Sequence, residues 1–457
     1  MGCSKNLIDS ERLKKRLEAK GYATSHDPQM PCGEIVVVNT CGFIGDAKEE
    51  SIEMILNLTR LKEEGQIGEI RVMGCLSERY LSELKEEIPE VDKWYGKFDW
   101  TGIVDSLPDR TVPAIPPREW ERSLTTPPWS AFVKISEGCN RFCAFCAIPL
   151  ITGRHTSRPI DEILEEITSL VASGVKEFNI IAQDLSSYGM DLYGESRLAE
   201  LIDRMAQTPG VEWIRLHYAY PADFPMDILP VMARHDNVCK YLDIALQHIA
   251  DPVLENMHRH ISGDETRRLL AEIRRQVPGI CIRTTLMTGF PGEGEKEFEE
   301  LVSFVKEQRF ERMGAFAYCE EEGTSGARLY KDSIPQDEKQ HRLDMLMHVQ
   351  QEIAEQINEK LTGSVLRVLV EEPVDESGAE ILANTSEEEN PRPYEAYART
   401  EFDSPDVDQS VLVTDCNVRP GEFIHVVIDK AYPFELLAHR ADTAAVSGKE
   451  SLKAQTV

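Results

Sequence analysis

The sequence predicts an α/β protein in three successive parts. They are an N-terminal open α/β sheet over residues 1–110, a partial (βα)6 barrel over 125–361 and a small antiparallel β-barrel over 362–440, with a disordered tail at 441–457. Three observations carry this reading. Short β-branched runs alternate with helical patterns in the first part. Six strand candidates with helical patterns between them follow in the second. The third is strand-rich and punctuated by turn residues.

Glu34–Thr40 (EIVVVNT) reads as a buried parallel strand, followed by a helix from about Asp46 to Glu64, a strand at Glu69–Met73 and a helix at Ser77–Glu87. A proline-rich stretch from Pro108 to Pro128 reads as a linker. The barrel strands are Ala131–Ser136, Glu177–Ala182, Glu212–His217, Tyr241–Leu246, Cys281–Met287 and Met313–Tyr318. Helices are expected at Ile160–Ser173, Leu198–Ala206, Asp264–Gln276, Glu295–Glu307 and, long and amphipathic, Gln336–Leu361. In the third part, strands are expected at Val365–Val370, Val411–Thr414 and Phe423–Ile428. Apart from the acidic run Glu387–Glu389 there is no low-complexity tract.

Hydrophobic residues are 41% and charged residues 28% of the 457, a globular balance rather than a disordered one. No apolar run approaches the length of a membrane span, and the polar first thirty residues contain no signal peptide. The expectation is a cytoplasmic enzyme with no membrane partner. The net charge of −30 disfavours broad binding to phosphate backbones and suits basic partners. Eleven cysteines, an odd number in a large chain without an export signal, argue against a disulfide framework and for thiolate ligands where the spacing is regular.

Cys139-Asn-Arg-Phe-Cys143-Ala-Phe-Cys146 places three thiols within eight residues, just after a strand. Three cysteines leave one iron of a [4Fe–4S] cube without a protein ligand, free to chelate a small molecule. Structural zinc normally needs four ligands, and His155 is the nearest candidate for a fourth. The spacing, with Phe145 before the last cysteine, resembles the radical S-adenosylmethionine superfamily. That resemblance implies that the open iron holds the amino and carboxylate groups of S-adenosylmethionine. One electron then cleaves the sulfonium to a 5′-deoxyadenosyl radical, and Phe145 lies against adenine.

Cys41 and Cys75 each follow a predicted strand, where α/β sheets build their sites, and Cys3, Cys41 and Cys75 each adjoin a glycine. From spacing alone a second site and ordinary buried thiols both stand. The phrases Gly2-Cys-Ser-Lys-Asn-Leu-Ile-Asp-Ser-Glu11, Asn39-Thr-Cys-Gly-Phe-Ile44 and Gly74-Cys75 resemble the methylthiotransferase family, in its branch that modifies a ribosomal protein. The resemblance spans nearly the whole chain and identifies the third part as a TRAM barrel, with Arg399–Asp406 resembling its signature. It implies a second [4Fe–4S] cluster on Cys3, Cys41 and Cys75. It also implies a strand ahead of Gly2-Cys3 that this sequence does not carry, as expected of a misassigned start or a truncated chain.

The implied reaction is methylthiolation of the β-carbon of an aspartate in ribosomal protein S-twelve. The radical abstracts hydrogen, and the second cluster supplies a sulfide methylated by another S-adenosylmethionine. A low-potential donor such as flavodoxin or ferredoxin is the implied electron source. Between Gly363 and Arg440, 17 acidic residues face 6 basic ones, which suits a basic protein better than transfer RNA. A transfer-RNA adenosine methylthiotransferase and a non-catalytic ribosome-associated iron–sulfur protein remain the alternatives. Further candidates sit at strand ends: Gln183 and Asp184, Gln247 and His248, and Arg283, whose fork of donors could pair with the S-adenosylmethionine carboxylate. Gly289–Glu293 forms a turn near the expected adenine, and Tyr188 resembles a family position beside the site. Cys32, Cys239, Cys281, Cys319 and Cys416 read as ordinary thiols.

Overall fold

The computed structural model describes residues 2–42, 45–111, 116–373, 394–414 and 418–441. The expected tail beyond Ala441, Cys416 and the acidic run Glu387–Glu389 lie outside the described residues. Its contacts divide the chain into two units: residues 1–175, 179–197 and 319–332, and residues 176–178, 198–318 and 333–457.

The first unit opens with α1 (Ser4–Ala19), then alternates β1 (Gly33–Thr40), α2 (Gly45–Glu63), β2 (Ile67–Gly74), α3 (Cys75–Glu87), β3 (Lys93–Trp94) and α4 (Trp100–Asp105). The sheet order is β1-β2-β3, all parallel. Its core joins Ile70 and Val72 of β2 to Ile55 and Leu58 of α2 and Leu76 and Leu84 of α3. Burial of side chains of this size contributes about 1.5–3 kcal/mol each. Helix α1 was not legible in the sequence, because its buried face carries Asn6, Asp9, Glu11 and Arg12 as well as Ile8 and Leu13. The apolar period that marks a helix is therefore broken.

The rest of this unit holds β4 (Ser130–Lys134), β5 (Ser136–Glu137), α5 (Ile148–Thr152), β6 (Thr156–Ser157), α6 (Ile160–Ala172), most of β7 (Glu177–Ile181) and α7 (Met190–Tyr193). Alternate residues Ala131, Val133 and Ile135 are fully buried, and Ile135 N donates to Ile181 O at 3.1 Å. A buried ion chain ties α1 to α6. Arg122 pairs with Glu11 and with Glu166 (2.9 Å), and Arg158 pairs with Glu166 at 2.8 Å.

The second unit contains α8 (Leu198–Ala206), β8 (Trp213–Ala219), α9 (Ile228–Arg234), β9 (Val238–Ile244), α10 (Asp251–Asn256), α11 (Gly263–Gln276), β10 (Cys281–Thr288), α12 (Glu295–Gln308) and β11 (Arg312–Ala317). The short α13 (Ser325–Leu329) belongs to the first unit. Strands β8 to β11 pair in parallel with their sequence neighbours. Each of the six expected barrel strands forms within a few residues of its predicted span. A capping box starts α11: Ser262 Oγ accepts from Glu265 N and Glu265 Oε2 accepts from Ser262 N. The long α14 (Gln336–Glu359) lies against β11, and Gln350 Nε2 donates to Phe310 O at 2.8 Å.

The third part forms a closed barrel of β12 (Val365–Pro373), β13 (Tyr394–Thr400), β14 (Ser410–Thr414), β15 (Phe423–Ala431) and β16 (Glu435–Arg440), in the order β12-β13-β14-β16-β15. The closed barrel is as expected, but β14 and β16 pair in parallel, so it is not wholly antiparallel. Alternate residues Val368, Val370, Val411, Val413, Val426 and Ile428 fill it.

Candidate metal centres and cofactor contacts

Strands β5 and β6 pair antiparallel, Ser136 with Ser157 and Glu137 with Thr156, and this ribbon frames the loop that carries Cys139, Cys143 and Cys146. Gly138 makes the entry turn possible. Its φ is 78°, and a Cβ there would lie 2.1 Å from Arg154 O. Cys139 N donates to Gly153 O at 3.2 Å, Cys146 N to Cys143 O at 3.0 Å, and Arg141 N to Cys139 Sγ at 3.4 Å. An amide aimed at a sulfur is the kind of contact that tunes a cluster thiolate. Arg141 is held by Asp184 at 2.8 Å, so Asp184 steadies the loop. Burial pushes the Cys139 thiol up to about 11, with Asp184 and Cys143 adding to it, while the Arg141 amide opposes. His155, the nearest candidate for a fourth ligand, has its Nε2 3.0 Å from Ser157 Oγ, and burial lowers its pKa. Phe145 is half-buried within the loop.

The upstream triad is assembled from three elements. Cys3 is the N-cap of α1, Cys41 follows β1 and Cys75 begins α3. The parallel register, Asn39 with Met73 and Thr40 with Gly74, brings Cys41 and Cys75 to the same end of the sheet. Asn6 joins the third element: its Nδ2 donates to Thr40 O at 3.1 Å and its Oδ1 accepts from Cys75 Sγ at 3.4 Å. Ser51 Oγ brackets Cys41, accepting from its N at 3.0 Å and donating to its O at 3.1 Å. Gly74, at φ 107°, leaves no room for a Cβ, which would sit 2.4 Å from Asn39 Oδ1. Burial pushes the Cys75 thiol up to about 12; Lys97 opposes this, while Cys3 and Cys41 add to it.

Among the described residues, no group of three His, Cys, Asp or Glu side chains is placed to hold a metal ion. A cube spreads its thiolates over separate irons, so the backbone cradles are the better test of fit. The loop triad passes it on Gly138 and on the Arg141 amide that donates to Cys139 Sγ; for the upstream triad the supporting feature is Gly74 beside Cys75.

A buried tetrad adjoins both triads. Lys97 pairs with Asp9 (3.1 Å) and Glu137 (3.2 Å), and Lys134 pairs with the same two carboxylates, each at 2.7 Å. Burial raises the Glu137 pKa, but Lys134 and Lys97 outweigh it and hold the carboxyl at about 2. Gln183 Nε2 also donates to Glu137. Sequence reasoning missed the tetrad. Asp9 lay inside a quoted phrase, but nothing in the spacing joins Lys97, Lys134 and Glu137.

Gln183 lies just past β7, and its Oε1 is buried without a hydrogen-bond partner. In the second unit Gln247 follows β9 at φ 70°, bridged to β10 by Gln247 N to Thr285 O (2.9 Å) and Met287 N to Gln247 O (2.7 Å). Its Oε1 is likewise buried and unpartnered. Such orphaned acceptors fit a polar ligand. His248 is buried against Glu293 at 3.0 Å, which also holds Arg342 at 2.8 Å. Arg283 is the third residue of β10. Its guanidinium lies between Asp243 (3.2 Å) and Asp408 (3.3 Å), so a cofactor carboxylate would have to displace one of them. Within the Arg399–Asp406 signature, Arg399 and Asp403 are buried in ion pairs, Arg399 with Glu177 (2.7 Å) and Asp403 with Arg312 (2.7 Å).

The family described as uncharacterized protein family UPF0004 matches residues 1–96, the radical SAM superfamily 133–305 and the TRAM domain 362–440. The ribosomal protein uS12 methylthiotransferase RimO of Phocaeicola vulgatus is 54% identical over 96% of this chain and 97% of its own. The chain belongs to the RimO family. RimO of Porphyromonas gingivalis is 52% identical over 97% of this chain and 98% of its own, and that of Flavobacterium johnsoniae 43% over 96% and 97%. A radical S-adenosylmethionine methyltransferase, TsrM from Kitasatospora setae, aligns with a TM-score of 0.50 at 16% identity, over 69% of this chain and 70% of its own. That likeness shows the fold. Membership fits the loop triad, since the radical SAM match covers Cys139, Cys143 and Cys146. No helix among the described residues is long and apolar enough to cross a membrane.

Proposed function

We propose that this chain methylthiolates the β-carbon of an aspartate in ribosomal protein uS12. The observation that carries the reading is the loop of Cys139, Cys143 and Cys146, cradled at Gly138 and Gly153, in a chain matched end to end by RimO relatives. One [4Fe–4S] cluster is assigned to that loop and a second to Cys3, Cys41 and Cys75. When bound, the clusters and S-adenosylmethionine supply radical generation and the sulfur to be inserted.

The chain's own residues bind, orient and exclude water. Phe145 is assigned to the adenine face, and Gln183 and Gln247 offer their free Oε1 atoms to the cofactor's polar groups. Arg283 is a carboxylate partner only if it exchanges Asp243 or Asp408. The neutral tetrad of Asp9, Lys97, Lys134 and Glu137 satisfies its own charges, which permits a dry interior beside both triads. Three modules carry the work: residues 1–110, 125–361 and 362–440. The acidic balance of the last, 17 against 6, supports a basic protein substrate. A low-potential flavodoxin or ferredoxin in the cytoplasm is the assigned electron source.

The test is anaerobic reconstitution with iron, sulfide, S-adenosylmethionine and reductant, followed by mass spectrometry of purified uS12. The expected result is the gain of one methylthio group on an aspartate. Unmodified uS12 alongside a methylthiolated transfer-RNA adenosine would overturn the reading.

A further inference from the structure

One surface of the first unit combines exposed apolar side chains with free carboxylates. Phe142, inside the cysteine loop, is 53% exposed at φ 49°. An aromatic residue in the left-handed region is strained, and such strain concentrates at ligand-contacting positions. Leu150 of α5 is 54% exposed and Leu329 of α13 is 63% exposed. The segment bearing α13 is drawn against the cysteine loop. Gly326 N donates to Ala144 O at 2.6 Å, and a Cβ on Gly323 would lie 3.4 Å from Leu150 Cδ1.

The same segment, residues 319–330, carries Glu320, Glu321 and Glu322 against a single cation, Arg328. Glu321 is buried and anchors the segment, paired with Lys48 at 2.9 Å and Arg79 at 3.0 Å. Arg79 also donates to Glu322 O and, at 3.3 Å, to Gly42 O beside Cys41. With Glu321 consumed as an anchor, Glu320 and Glu322 are left exposed on either side of it.

We infer that this rim is where the protein substrate docks. Phe142, Leu150 and Leu329 receive apolar side chains of a basic ribosomal-protein segment, and Glu320 and Glu322 receive its lysines or arginines. The inference rests on the proposed function and adds the place where the partner is held. Ribosomal proteins are rich in lysine and arginine because they bind RNA phosphates, so exposed carboxylates attract them. The same carboxylates repel a nucleic-acid backbone, which selects a protein occupant over transfer RNA. Large apolar anchors ringed by charge are the usual make-up of a protein contact. A segment seated here lies beside the loop of Cys139, Cys143 and Cys146, where its aspartate has to be presented.

The experiment uses reconstituted full-length enzyme and purified uS12, with the Leu329→Asp variant and the double variant E320K/E322K. Each is expected to raise KM for uS12 about tenfold and to leave kcat and substrate-free 5′-deoxyadenosine release as in the wild type. The double variant is also expected to flatten the rise of KM with salt. Unchanged KM in both variants overturns the inference. So does a parallel loss of 5′-deoxyadenosine release, because the residues would then act through the cofactor site. Wild-type enzyme that cleaves S-adenosylmethionine but leaves uS12 unmodified overturns the proposed function instead.

Discussion

Cys139, Cys143 and Cys146 share one loop of eight residues, whereas Cys3, Cys41 and Cys75 come from the start of a helix, the end of a strand and the start of another helix. The loop triad needs little beyond its own backbone: a left-handed glycine, Cys139 N on Gly153 O and Cys146 N on Cys143 O. The upstream triad needs the β1/β2 register, the position of α1 and the side chains of Asn6 and Ser51. A chelate closed by local chain loses little when distant packing is disturbed. One closed by three elements inherits the stability of all the contacts between them.

The largest contrast is expected from the ligands themselves. Cys143→Ala should abolish 5′-deoxyadenosine formation and methylthiolation together, while Cys75→Ala should abolish methylthiolation and leave 5′-deoxyadenosine formation in place. Iron analysis and product chromatography on both variants check this, and equal loss of cleavage in both would erase the division of labour.

Next comes the anchor of α1. Arg122→Met leaves Glu11 and Glu166 buried without their shared cation, at a cost of about 3–5 kcal/mol. Urea titration should show the loss, and iron should leave the upstream triad before the loop triad.

Acid gives a smaller effect with a definite sign. Glu137 is depressed to about 2 in the folded chain, so its contribution is complete above the unfolded carboxyl range. It is lost as pH falls from about 4.5 towards 2. Glu137→Gln should flatten the acid limb of stability by on the order of 2 kcal/mol, once the partial exposure of the side chain is discounted. An unchanged acid limb would show that the tetrad does not act through charge.

The smallest effect is expected at Asn6. Asn6→Ala removes the donor to Thr40 O and should cost about 1 kcal/mol. It should weaken upstream iron binding in a chelator competition without altering 5′-deoxyadenosine release.

Much of the framework was legible because it is periodic. The β-branched run of β1 and the six barrel strands announce themselves over a few consecutive residues. The misses share one cause. α1 buries polar side chains that find partners far along the chain, such as Glu11 with Arg122. β13 (YEAYART) and β16 (ELLAHR) hide their alternation behind polar residues that a closed barrel can accommodate, and the parallel β14/β16 pairing has no local mark. The ion pairs of Arg283 had no local mark either, since Asp408, one of the two carboxylates that hold it, lies 125 residues away.

The sequence alone determined the three-cysteine loop, since three thiols within eight residues sit near one another in almost any turn that glycine permits. It also determined the order of the three modules through hydrophobic periodicity. Tertiary structure decided the rest. Cys41 and Cys75 reach one end of the sheet only through the register of β1 on β2, and α1, which Cys3 caps, is tied there by Asn6. Asp9, Lys97, Lys134 and Glu137 neutralise one another only once folding removes them from water. Charges so far apart in the chain have no preferred partner until burial makes leaving them unpaired too costly.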